Sequence, residues 1–137
     1  MNYSFSCFPH KHITAKHHKS LEFTKDEEVA LEGDCIVGVK ADFDAEKLRE
    51  FASANRDRKI RMVIRTKTAS DELVFDLNPE FSDANSIVIR KSNFLSNRTL
   101  GVDASKAASD LKRELAQSLK EDKIEVELSP LVLNTLF

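Results

Sequence analysis

The chain has 137 residues, 41% hydrophobic and 32% charged, with a formal net charge of −2. That length fits one domain able to bury a core without staples. The near-neutral balance gives no global pull toward nucleic acid, so any such role needs a local patch.

The N-terminus "MNYSFSCFPHKH" has no basic segment followed by an apolar run, so it does not read as a secretion signal. "NYSFSCF" alternates as a weak strand that Pro9 ends. "HITAKH" and "SLEFT" read as further short strands, and in the second Leu21 and Phe23 share a face. "KDEEVALEG" is a polar loop. "DCIVGVKA" is nearly all apolar, as expected of a central strand buried on both faces. "DFDAEKLREFASANRDRK" reads as a helix with Asp44 as N-cap. Phe43 and Leu48 form its hydrophobic staple, and Ala45, Leu48, Phe51 and Ala52 its apolar stripe.

"KIRMVIRT" and "DELVFDL" are strands joined by a short polar link, hence a hairpin. "SIVIR" and "TLGVDA" are strands on either side of the loop "KSNFLSNR". "SKAASDLKRELAQSLKED" is the clearest helix of the chain, with Ala104, Ala108, Leu111, Leu115 and Leu119 almost entirely at i, i+4. "KIEVELSP" closes as a strand, and the apolar tail "LVLNTLF" is expected to dock on the core.

The chain also resembles itself. Gly38-Val39 lies over Gly101-Val102, Ala41 over Ala104, Ala45 over Ala108 and Leu48 over Leu111. Upstream, Lys25 falls on Lys91. The expectation is a β-rich α+β single domain over 1–137. It would be a pseudo-twofold repeat of hairpin-strand-loop-strand-helix units with two main helices, in units 1–58 and 59–128 with a tail 129–137.

Three constellations could carry chemistry. His10, His12, His17 and His18 are all the histidines. As strand neighbours His17 and His18 would face opposite sides, and HExxH spacing is absent. A metal or catalytic site would need His10 and His17 to meet Asp34 or Cys35 across strands, and surface histidines account for the same pattern. Cys35 could be a nucleophile with His10 or His17 as base. Its neighbour Asp34 and its apolar strand both raise a thiol's pKa, which favours a buried structural thiol. Both cysteines, Cys7 and Cys35, are expected to stay reduced in a cytoplasmic protein.

The third is cationic. Arg90, Lys91, Ser92, Arg98 and Thr99 fall within ten residues, with Lys106 close behind. Forked guanidinium donors, ammonium charges and hydroxyls make an anion-binding palette. Under the repeat, Lys25 opens the equivalent loop, so the two loops would lie near each other. Phe94 alone offers an aromatic there, so base stacking is poorly supported.

Over nearly its whole length the chain resembles an archaeal family labelled domain of unknown function 371. The resemblance is carried by His10, Ile13, Ala15-Lys16-His17 and Glu22-Phe23-Thr24-Lys25. It continues through Gly33-Asp34-Cys35-Ile36-Val37-Gly38-Val39, Arg90-Lys91-Ser92, Thr99-Leu100 and Lys106-Ala107-Ala108. Pro9, His12 and Ser20 depart from the family's usual Gly, Asn and Thr. The resemblance implies a shared fold and a common site, and supplies no reaction or cofactor.

The leading expectation is a binding module for a phosphate-bearing small molecule or RNA, able to oligomerise and with no membrane role. The alternatives are an enzyme or metalloprotein built on His10, His17, Asp34 and Cys35, and an assembly subunit.

Overall fold

Alternation of apolar and polar residues carries most of the chain into strands. In the computed structural model, which describes residues 2–30 and 33–132, these are β1 (Tyr3–Cys7), β2 (Ser20–Thr24), β3 (Ile36–Gly38), β4 (Lys59–Arg65), β5 (Ser70–Leu77), β6 (Ser86–Arg90), β7 (Thr99–Val102) and β8 (Ile124–Pro130). Helix α1 spans Ala45–Ala54 and α2 spans Arg113–Ser118, with a 3₁₀ turn at Ala108–Asp110. The result is a β-rich α+β domain around one apolar core.

The eight strands form one sheet in the order β1-β8-β4-β5-β7-β6-β2-β3. β2–β3 and β6–β7 are parallel, and the remaining pairs are antiparallel. The two ends of the sheet meet. Phe8 and Val39 exchange N–H···O bonds of 2.7 and 3.0 Å, so β1 and β3 close the sheet on itself. The bridge shortens the edges that β1 and β3 offer for pairing with another chain. Inside lie Ile60, Met62 and Ile64 of β4 and Ile124, Val126 and Leu128 of β8, all fully or almost fully buried. Phe5 packs edge-on against Phe23 at 5.4 Å and against Phe43 at 6.0 Å, knitting the two ends together.

The order is unchanged when β1–β4 trade places with β5–β8. Backbone bonds trade in the same way: Glu22 N–H to Cys35 O (2.8 Å) matches Val88 N–H to Arg98 O (2.9 Å), and Lys25 N–H to Asn85 O matches Lys91 N–H to Lys19 O, both 2.9 Å. Lys40 and Asp103, the residues after Val39 and Val102, both have φ 51°. Such an exchange groups 59–65 with the first half, not the second.

Three local expectations are corrected. "HITAKH" is not a strand: residues 8–19 form a loop in which Ala15 takes φ 51°, a left-handed conformation that a strand cannot hold. In the "DCIVGV" segment Val37, Gly38 and Val39 are buried and Asp34, Cys35 and Ile36 half-buried, and β3 is the short closing strand rather than a central one. The second helix is broken. Ala104, Ala108, Leu111, Leu115 and Leu119 are all buried as the periodicity predicts. Leu111 and Lys112, however, are extended, at ψ 145° and 138°. The Lys112 N–H, which a continuous helix would give to Ala108 O, goes instead to the Asp71 carboxylate of β5 at 2.9 Å. α1 follows its sequence signals: Asp44 Oδ1 accepts the N–H groups of Glu46 and Lys47, and Leu48, Phe51 and Ala52 are buried. The expected docking of the tail falls largely on 133–137, outside the described residues.

Candidate functional site

The cations singled out in the sequence are engaged within the protein. Lys91 Nζ pairs with Asp110 at 2.8 Å, Arg98 with Glu22 at 3.0 Å, and Lys106 with the buried Asp71 at 2.6 Å. Arg90 Nε donates to Thr99 Oγ1 at 2.8 Å, and its guanidinium lies 5.0 Å from the Phe94 ring centre. Lys25 Nζ sits 4.6 Å above the Phe43 ring. Ser92 accepts the Phe94 N–H through Oγ and the Asp103 N–H through its carbonyl. The Ala107 N–H and the Lys91 ammonium together hold the Asp110 carboxyl below the usual carboxylate range.

The loops do not converge as the repeat suggested. β2 and β6 are antiparallel, so Lys25 stands beside Asn85 and Lys91 beside Lys19. At ~3.3 Å per residue these ends lie roughly 20 Å apart. Among the described residues the far ends of the two loops meet on Glu22: Cys35 Sγ (3.8 Å) and Arg98 Nη2 (3.0 Å) both contact its Oε1.

His10 and His17 serve their own loop. His10 Nδ1 accepts the His12 N–H at 3.0 Å, and its Nε2 lies 3.4 Å from the exposed Glu28. His17 Nδ1 accepts the Ser20 N–H at 3.2 Å. Asp34 holds the same loop through its carbonyl, which accepts the Lys16 and His17 N–H groups. Among the described residues no group of three or more His, Cys, Asp and Glu gathers as a metal site. Burial, then the Glu22 and Asp34 carboxylates, push the Cys35 thiol up to about 11. Two pKa units correspond to ~100-fold less thiolate at neutral pH. Iodoacetamide at pH 7.5 is therefore expected to alkylate native Cys35 at least ~100-fold more slowly than the unfolded chain, with the rate still climbing at pH 10. A rate plateau below pH 9 would refute this.

The two departures from the sequence pattern, the 8–19 loop and the broken helix, face each other. The Ser109 N–H donates to His17 O at 3.0 Å, and His18 Nδ1 lies 3.0 Å from Ser109 Oγ. Between the segments runs a groove of two joined cavities, of about 390 and 280 Å³. Thr14, Lys16, Arg113 and Ala116 line both. His18 and Ser109 line the first alone, and Gln117 and Lys120 the second alone. Among the described residues no carboxylate lines either cavity, and Lys16, Arg113 and Lys120 make no ion pair. The nearby acids Glu114, Glu121 and Asp122 line a separate depression, and Lys120 stands on the rim between the two. Sequence reasoning passed over these residues. The available signal was Arg113 and Lys120 at i, i+7 on the polar face of the apolar-striped segment.

Residues 5–131 match the family model described as "Domain of unknown function (DUF371)". The chain belongs to this family. The chain is similar to the "Uncharacterized protein MJ0206" of Methanocaldococcus jannaschii. It is 32% identical over 121 residues, covering 83% of this chain and 87% of the relative. The family match spans both the 8–19 loop and the broken second helix. Among the described residues of this DUF371 member, no helix is long and apolar enough to cross a membrane.

Proposed function

We propose that this protein binds a phosphate-bearing ligand in the groove between residues 14–18 and 109–120. The observation that carries the reading is the meeting of Lys16, Arg113 and Lys120 in one concavity without a lining carboxylate. Thr14 and Ser109 add hydroxyls, His18 adds a ring nitrogen, and Arg113 supplies a forked donor suited to phosphate oxygens. Lys91 supports the site from behind, since its pair with Asp110 fixes the residue next to Ser109. Arg90, Ser92, Arg98, Thr99, Lys106 and Lys25 hold loops and strands together and do not enter the ligand. We also read residues 3–65 and 70–130 as copies of one unit. On that reading the groove arises where the copies differ most, at the longer first loop and the broken second helix. The two free thiols suit a reducing, cytoplasmic setting.

The test is a chemical-shift titration of the full chain with orthophosphate at about 50 mM salt, where screening is modest. Shifts are expected at the amides of 14–18 and 109–120. Arg113→Glu removes a charge-assisted hydrogen bond and adds repulsion. Affinity is expected to fall by ~10- to 100-fold. Shifts confined to 90–98, or an Arg113→Glu variant that binds normally, would contradict the groove.

A further inference from the structure

We infer that the groove takes a linear chain of phosphates rather than a single compact anion. This rests on the phosphate reading above. The donors are arranged in series. Lys16 and Arg113 stand at the junction of the two cavities, His18 and Ser109 at one end, and Gln117 and Lys120 at the other. Arg113, Gln117 and Lys120 follow one face of α2 and the turn after it, at i, i+4 and i+7. Their rise is on the order of 10 Å. One phosphate meets one station, or two at the junction. A ligand with charge repeated along its length meets all three.

The floor says which part of such a ligand is held. It consists of Ala15, Leu111 and Ala116, with no aromatic side chain. Single-stranded bases are held largely by stacking on aromatic rings, and the His18 imidazole, already set against Ser109 Oγ, is the one ring among the described residues that line the groove. The groove therefore grips a phosphate backbone and leaves attached groups outside. Two sources share that chemistry: the phosphodiester backbone of a single RNA strand, and a phosphoanhydride chain such as polyphosphate or a nucleotide tail.

The experiment compares orthophosphate, pyrophosphate, tripolyphosphate and a hexauridylate strand by calorimetry on the full chain at about 50 mM salt. The expected result is roughly tenfold tighter binding from orthophosphate to pyrophosphate and again to tripolyphosphate. Lys120→Ala is expected to narrow the tripolyphosphate-to-orthophosphate ratio about tenfold. Lys47→Ala, on the exposed face of α1, is expected to leave that ratio unchanged. Tight hexauridylate with weak tripolyphosphate points to an RNA backbone, and the reverse points to a phosphoanhydride chain. Equal affinity for orthophosphate and tripolyphosphate overturns the linear ligand and leaves the phosphate site standing. A ratio that drops as much in Lys47→Ala as in Lys120→Ala reduces the preference to bulk charge and also overturns it. No binding of any of the four removes the phosphate reading itself.

Discussion

Gly101→Ala is expected to cost this protein about 3 kcal/mol, at the upper end of what overpacking a core does. The reason is close approach, since no glycine among the described residues has positive φ. A Cβ at position 101 would lie 2.6 Å from Cγ and 2.8 Å from Cε1 of Phe75. Phe75 is fully buried and part of the continuous core. Its ring cannot swing aside, because close-packed interiors have no free volume to receive it. Either β7 moves away from β5 or the ring leaves its rotamer, and both weaken the sheet where only Asp76–Val102 and Leu77–Gly101 pair the two strands.

The same device recurs at Gly38, where a Cβ would come 3.1 Å from Cys7 Cβ and closer still to its sulfur. There the obstacle is smaller, so Cys7→Ala should rescue Gly38→Ala largely. Phe75→Ala should rescue Gly101→Ala poorly, because it replaces a clash with a cavity costing ~3–5 kcal/mol. Urea unfolding measures all four variants. A Gly101→Ala loss below about 1 kcal/mol would mean that β7 has room to yield, and the account of the strand's position would be wrong.

How much of this could be read from the chain depends on whether the cause is local. "SIVIR" becomes β6 residue for residue, and β4 and β8 alternate as written, because a strand with one face in the core must repeat every two residues. Asp44 caps α1 because the cap and the N–H groups it satisfies are two and three residues apart. The failures come from partners far along the chain. "HITAKH" has the composition of a strand, yet the N–H groups of Lys16 and His17 are taken by the Asp34 carbonyl, those of His12 and Ile13 by His10, and Ala15 turns left-handed. The cationic loop looked free in sequence, yet Glu22, Asp71 and Asp110 arrive from 19 to 76 positions away to neutralise it. The groove was illegible for the same reason, since it exists only where the strand pattern of 12–17 and the helical period of 104–119 are overruled.

Asp71→Asn is expected to show what overrules the second helix. The Asp71 side chain is 3% exposed. Burial pushes its carboxyl up, but the Lys106 ammonium and the N–H groups of Lys112 and Glu72 outweigh that and hold it below its ordinary value of 3.8. A carboxyl depressed on folding contributes stability that is complete well above pH 3.8. That contribution fades as the pH falls through the ordinary value and the lower folded one. At pH 7 the variant should therefore be less stable by about 3 kcal/mol, the low end for a broken buried pair because Lys106 remains 30% exposed. The gap to the native chain should shrink below pH 4. Lys106→Met in the same background should return part of the loss, since it removes the stranded charge. Urea unfolding from pH 7 to pH 2.5 measures this, and a gap that does not change with pH would dismiss the ionised carboxylate as its source. A second consequence separates architecture from charge. The amide of the variant has a single oxygen, which the Lys106 ammonium and the Glu72 N–H draw to their side, so its NH2 faces the Lys112 N–H and the apolar period from Ala104 to Leu119 is free to run on as helix. Far-ultraviolet circular dichroism of the folded variant should then gain helical signal. Arg113 and Ser109 would rotate out of their present positions against Lys16 and His18, and orthophosphate affinity should fall with them. Asp71 lines neither cavity of the groove, so loss of orthophosphate binding in a variant that remains folded would trace the groove to one buried carboxylate on β5.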